Sequence, residues 1–157
     1  MIFVTLGSQK FQFNRLLKKI DELVEAGVIN EEIFAQVGDS DYKPKHYEYK
    51  DFLSRDEFNE YSSKADIVIT HGGTGAIIGA VKKGKKVIAV PRLAQYGEHV
   101  DDHQLQLIEQ FDELKLIEPC YDTENLEKSY KNLDKIKTVE YKSNTARYIE
   151  DIENFLN

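Results

Sequence analysis

Ala65-Asp66-Ile67-Val68-Ile69-Thr70-His71-Gly72-Gly73-Thr74-Gly75 begins as an apolar, β-branched run and ends in three glycines within four residues. Residues 66–70 show no polar alternation, the pattern of a strand covered on both faces. Glycines 72, 73 and 75 make a loop, and residues 76–83 read as a helix that stops at Gly84. A doubly covered strand that passes at once into a helix belongs to a parallel sheet with helices on both sides. The neighbouring segments repeat the unit. Residues 2–6 are a short apolar run closed by Gly7-Ser8, after which Leu16, Leu17, Ile20, Leu23 and Val24 recur at helical spacing as far as Gly27. Residues 33–37 and 46–53 read as further strands, the second after the break at Pro44, and Ser54 with Glu57 forms a capping-box signal for a helix over 55–64. Downstream, 86–90 is a strand stopped by Pro91, and helices are expected near 100–112, 123–134 and 143–156, the last with Ala146, Ile149, Ile152 and Leu156 on one face. The expected fold is α/β, a Rossmann-like parallel sheet with helices on both faces.

With 157 residues and no repeat, low-complexity segment or linker, the chain reads as one domain over 1–157. Its net charge of -7 opposes a phosphate backbone, so nucleic acid is not an expected partner. The single cysteine, Cys120, rules out an internal disulfide framework and suits a reducing compartment, where it reads as a small hydrophobe. Residues after Met1 show none of the basic, long apolar or cleavage features of an export leader, which predicts a cytoplasmic chain.

In such a sheet, ligands bind beyond the carboxyl ends of the strands, and three loops reach that edge: 7–13, 71–75 and 91–104. In the middle loop, backbone amides approach an anion closely and the helix start adds partial positive charge, which suits a diphosphate. The same glycines would also serve chain reversal and close helix packing. Gly73-Thr74-Gly75 continues to Gly79 rather than to a glycine at 78, so the spacing is not that of a hydride-transfer dinucleotide site. In the third loop Arg92 is suited to fork onto a phosphate and Gln104 to bond sugar hydroxyls. Equally, Asp101 or Asp102 serves there as an ordinary N-cap, with His99 and His103 as solvated surface. His99 and His103 have a metal-capable spacing only if the helix already begins at 99, and no His-Glu-x-x-His pattern accompanies them, so no metal is expected. Lys82-Lys83-Gly84-Lys85-Lys86 lies at a helix end and a strand start, on the sheet edge away from these loops. It reads as solvated lysines favouring a helix C-terminus, or as a weak contact to an anionic membrane or partner.

Four pieces occur in order across residues 2–107. They are Val4-Thr5-Leu6-Gly7-Ser8 with Gln12-Phe13-Asn14-Arg15-Leu16, then Asp51-Phe52-Leu53, the 65–75 run, and Pro91-Arg92 with Gly97-Glu98-His99-Val100-Asp101-Asp102-His103-Gln104. On these the chain resembles the C-terminal, donor-binding domain of family 28 glycosyltransferases, which have the two-domain GT-B fold. It is most similar to small stand-alone versions: the catalytic subunit of the eukaryotic two-subunit N-acetylglucosaminyltransferase acting on dolichol-diphosphate sugar, and bacterial capsule or exopolysaccharide galactosyltransferase subunits. The resemblance implies a single half of a GT-B fold. It also implies that Gly7, Ser8, His71, Gly72, Gly73, Thr74 and Gly75 face the diphosphate and that backbone near Phe52 and Leu53 meets the uracil. Arg92, Asp102, His103 and Gln104 would line the phosphate and sugar end. Relatives usually carry a ribose-binding glutamate four residues after the last loop glycine; here that place is Gly79, so ribose has to be held otherwise or less tightly.

The activity so implied is inverting transfer of a hexose from a UDP-sugar to a lipid-diphosphate-linked saccharide acceptor in polysaccharide or glycan synthesis. The leaving group would be stabilised by amides, helix dipole and basic side chains, with no cofactor. A general base has to deprotonate the acceptor; His71, Glu98, His99 and His103 are candidates and none is assigned. Half of a two-domain enzyme has no acceptor wall, which implies a membrane-attached acceptor-binding subunit that recruits this cytoplasmic chain to the inner face of a membrane. The competing reading is a non-catalytic UDP-binding or scaffold subunit of a transferase complex. Gly79 favours it, and the Pro91-Arg92 and Asp102-His103-Gln104 pieces speak against it.

Overall fold

The computed structural model describes residues 1–7 and 10–133. Apolar runs become β1 (Ile2–Thr5), β2 (Ile33–Gln36), β4 (Ile67–His71) and β5 (Lys86–Val90), to which the short β3 (Glu48–Lys50) and β6 (Glu118–Pro119) add edges. All six pair in parallel in the order β3-β2-β1-β4-β5-β6. Parallel neighbours need crossovers, supplied by helices α1 (Asn14–Glu25), α2 (Arg55–Lys64), α3 (Thr74–Lys82) and α4 (His103–Glu113); α5 (Leu126–Asn132) follows β6. The strand order reverses between β1 and β4, which opens a crevice beyond their carboxyl ends.

Alternation within each strand distributes the core over two faces. Ile2, Val4, Ile33, Ala35, Ile67, Ile69, Ile88 and Val90 pack with α1 and α5, whereas Phe3, Phe34, Val68, Val87 and Ala89 pack with α2, α3 and α4. On α1 the helical spacing brings Leu16, Leu17 and Ile20 to full burial, each contributing about 1.5–3 kcal/mol. The capping box of α2 is formed: Ser54 Oγ accepts the Glu57 amide and the Glu57 carboxylate accepts the Ser54 amide. Tyr61 of α2 stacks on Phe34, with ring centroids 3.9 Å apart.

Several expectations shift. The strand expected over 46–53 shrinks to β3 because the Lys45 and His46 amides donate to the buried Asp21 carboxylate instead of to a ladder. The helix expected from 100 starts at His103, after a loop that contains a 3-10 turn, Ala94–Tyr96. β6 was not foreseen: it is two residues long and includes a proline, which has no ladder donor. The helix expected over 143–156 lies outside the described residues, as does the last residue of the one expected over 123–134. Cys120 is buried beside α1 and α5, its thiol pushed up to about 11 chiefly by burial. Among the described residues no helix is long and apolar enough to cross a membrane.

Candidate functional site

At the crevice, β1 delivers Gly7 and β4 delivers His71, Gly72 and Gly73, while α3 starts at Thr74. Gly73 is the N-cap, and no side chain caps it among the described residues. The first amides of an α-helix lack intrahelical acceptors, so this end presents open N–H groups and the positive end of the helix dipole. Thr74 is half-buried and Gly75 exposed there.

Gly7 and Gly73 are required by the His71 ring. Gly7 has φ +74, and a Cβ on it would lie 2.6 Å from His71 Nε2; on Gly73 a Cβ would lie 2.4 Å from His71 Cε1. His71 is 5% exposed, so its imidazole is wedged between the two loops at the switch point. Burial, and secondly the Arg92 charge, hold its pKa down to about 3 from 6.5, so the ring is neutral at physiological pH.

Gln104 ties the crevice together from below. Its Oε1 accepts the Gly72 and Arg92 amides, both at 3.0 Å, and its Nε2 lies 3.1 Å from His71 Nδ1. The side chain, 3% exposed, is turned into the protein, so in this arrangement its oxygen is engaged with amides and not with a sugar hydroxyl. Arg92 likewise turns inward. Its guanidinium is 1% exposed and donates to the carbonyls of Leu6, Phe11, Gln12 and Glu98, with Phe13 beneath it. It joins the first loop to the third instead of forking outward. Burial lowers its pKa to about 10, which leaves it charged at neutral pH.

The base candidates fall into two groups. Glu98 is fully buried; its two oxygens accept Arg15 Nε at 3.1 Å and Nη2 at 3.0 Å, and Oε1 also accepts the Leu93 amide. A carboxylate engaged on both oxygens by a bidentate arginine is a structural tie. His71 is buried and neutral, with Nδ1 occupied. His99 is half-buried, stacked on Phe11 and 3.2 Å from Asp101 Oδ1, whereas His103 is exposed at the start of α4. Because α4 begins at 103, the two do not share a helical face. The loop is closed by the Asp101 and Asp102 carboxylates, which accept the amides of His103 and Ala94. Ser8 lies outside the described residues.

Beside Gly7, a cleft of about 490 Å³ runs between α2 and α3. Phe3 and Val68 are apolar lining, Thr5, Gln36 and Asn59 bring polar groups, and Gly75 and Gly79 form part of the α3 wall. A Cβ on Gly79 would meet nothing within 4 Å. Phe52, half exposed, and Leu53 lie just before α2. The α2 side of this cleft and the Arg15–Glu98 tie escape sequence reasoning, since Asn59 and Arg15 look like ordinary helix surface. The one signal was Arg15 within the first of the four quoted pieces.

Residues 1–155 match the sequence model described as glycosyltransferase family 28 C-terminal domain. The UDP-N-acetylglucosamine transferase subunit ALG13 of Candida albicans is 28% identical over 134 residues, covering 80% of this chain and 43% of that protein. Solved structures of similar fold include Acinetobacter baumannii MurG (TM-score 0.59, 17% identity, 86% of this chain and 42% of that one). The calicheamicin glycosyltransferase CalG4 is another (TM-score 0.57, 17% identity, 99% and 43%). The chain thus spans under half the length of each.

Proposed function

From the premise that this chain belongs to the glycosyltransferase family 28 C-terminal domain family, we propose that it is the donor-binding subunit of an inverting, UDP-sugar-dependent hexosyltransferase. The observation that carries the reading is the uncapped start of α3 at the β1/β4 switch point, with the His71 ring beside it. There the diphosphate lies on the amides of residues 73–76, and the nucleoside lies toward the α2/α3 cleft and the Phe52-Leu53 backbone. Asp102, His103 and the third loop flank the sugar. The relative named as a UDP-N-acetylglucosamine transferase subunit supports a UDP-hexose donor, and the word subunit supports a partner.

In the transfer, an acceptor hydroxyl oxygen attacks the anomeric carbon from the side opposite UDP, and the bond from that carbon to the β-phosphate oxygen breaks with its electron pair moving onto the diphosphate. Charge developing there is met by the α3 amides and dipole, so the reading calls on no cofactor. The hydroxyl proton passes to a general base. With Glu98 tied to Arg15 and His71 neutral and wedged, His99 and His103 are the candidates left on this chain. A membrane-attached subunit that carries the lipid-diphosphate-linked acceptor supplies the other wall, and holds this subunit at the membrane's inner face.

The test is a titration of UDP, UDP-galactose and UDP-N-acetylglucosamine followed at the amides of residues 72–76, paired with a transfer assay with and without a co-expressed partner. Amide shifts and partner-dependent transfer are expected. If none of the three ligands binds or reacts even in the complex, the reading fails; binding without transfer would leave the non-catalytic UDP-binding subunit.

A further inference from the structure

We propose that Gln104 is a positioning residue that fixes the tautomer of His71, so that His71 meets the diphosphate as an Nε2–H hydrogen-bond donor and never as a base. The ligand half of this inference rests on the donor-site reading above; the tautomer half rests on hydrogen-bond logic in the chain itself.

A carboxamide has one acceptor end and one donor end. The end of Gln104 that receives two backbone N–H groups, from Gly72 and from Arg92, has to be the oxygen, because an NH₂ group cannot accept them. The other end is therefore the NH₂, which can only donate, and it faces His71 Nδ1 at 3.1 Å. Nδ1 must then present its lone pair. A neutral imidazole carries a single proton, so that proton sits on Nε2. Adding a proton at Nδ1 would set N–H against NH₂, a cost beyond that of charging a ring that is 5% exposed near the Arg92 guanidinium.

Nε2 is the atom that points at the crevice. Cβ atoms built on Gly7 and Gly73 would lie 2.6 and 2.7 Å from it, so it sits between the two loops. Among the described residues it has no hydrogen-bond partner. A donor held by its neighbours, beside the uncapped start of α3, adds one fixed N–H to the amides there without a proton that titrates at working pH. Because Gln104 also pins Gly72 and Arg92, one side chain sets the loop geometry and the ring's protonation together.

Long-range ¹H–¹⁵N correlation on the full chain labelled with [¹⁵N]histidine reads the tautomer directly, with the His71 signals assigned by their loss in His71→Asn. Ligand-free protein should show the Nε2–H pattern, unchanged between about pH 5 and about pH 8, where an ordinary histidine titrates. An Nδ1–H pattern, or titration of His71 in that range, would overturn the proposal. Gln104→Glu keeps an acceptor for both amides but turns an acceptor toward Nδ1, so Nδ1 should become protonated; an unchanged His71 pattern would remove Gln104 from the role. On addition of UDP the Nε2–H signals should shift, and on addition of uridine they should not. If UDP moves the amides of residues 72–76 but leaves Nε2–H in place, the donor role is refuted while the site reading stands. If UDP moves neither, both fall. His71→Asn, whose side-chain oxygen still takes the Gln104 bond but which lacks Nε2–H, should weaken UDP by about tenfold.

Discussion

Restoring a carboxylate at position 79 asks whether the ribose lies in the α2/α3 cleft. Gly79→Glu meets no steric obstacle, since a Cβ there has nothing within 4 Å and the residue lines the cleft. Replacing an interior helical glycine gains about 0.5–1 kcal/mol, which for a chain of this size raises Tm by about 1–4 °C. A ribose hydroxyl bonded to the new carboxylate is worth about 1.5–3 kcal/mol before the carboxylate's own desolvation. The low end corresponds to about a tenfold tighter Kd for UDP. Lys83, four residues on at the C-cap of α3 and also lining the cleft, competes for the carboxylate, although its Nζ already bonds Ser62 Oγ at 3.0 Å. An exposed pair of that kind is worth only about 0.3–0.5 kcal/mol, less than the ribose bond. Gly79→Gln, which has the reach without the charge, separates the two. Calorimetric titration with UDP and with pyrophosphate is the assay: UDP should tighten, and pyrophosphate, which has no ribose, should not. A variant that melts higher yet binds UDP no better would place the ribose outside the cleft.

Because His71 falls from 6.5 to about 3 on folding, the unfolded chain binds the extra proton between those values, so stability drops as pH falls through that window. About 2 kcal/mol should be lost by about pH 5 relative to pH 7, and urea denaturation should show this excess slope in the wild type but not in His71→Asn. Arg92→Lys offers one ammonium for carbonyls that four guanidinium contacts now satisfy. It should cost about 3 kcal/mol and lower Tm by about 6–12 °C; a change within 2 °C would contradict the stapling role. In a complex with the proposed partner subunit, Glu98→Gln should keep kcat within about tenfold, whereas loss of a general base would cost about 10²–10⁴. UDP affinity should vary by less than about threefold between ~0.05 and ~0.5 M salt, and a steep decline would shift the anion to the lysines of 82–86.

The strands and their connecting helices were legible because burial on both faces leaves an unbroken β-branched run, as in 66–70, and because α1 and α2 carry their apolar spacing and capping box locally. The short edges were not. β3 is cut back by an aspartate, Asp21, that lies 24 residues before Lys45, and no local pattern announces such a tie. At the site, the glycine positions were legible but their reason was not. Gly7 and Gly73 read as room for a phosphate, whereas in the structure they are first of all room for the His71 ring. Arg92 and Gln104 stand out in the sequence as polar residues of the third loop, yet sequence hides orientation, and both turn inward to bond backbone groups.

That inward turn explains how a chain of net charge -7 can hold a diphosphate under the proposed reading. At physiological salt the field of the surface carboxylates fades over about 8 Å, so groups inside the crevice decide the outcome. The start of α3 contributes about half a positive charge. The Arg92 guanidinium lies behind the loops, held by carbonyls of Leu6, Phe11, Gln12 and Glu98. A surface lysine brought to an anion has to shed water and side-chain freedom; a guanidinium already out of water and held through Nη1 and Nη2, with only its Nε unpartnered among the described residues, has little left to reorganise when charge develops on the leaving group. Its cost is borne in folding, visible as a pKa lowered to about 10, still far enough above neutral to keep the charge. Under the proposed reading, direct contact is left to groups that do not titrate near pH 7, namely backbone amides and a histidine whose Nδ1 is occupied. Affinity for the donor would then be insensitive to both pH and salt across the physiological range, while proton transfer from the acceptor is left to His99, His103 or a group on the partner.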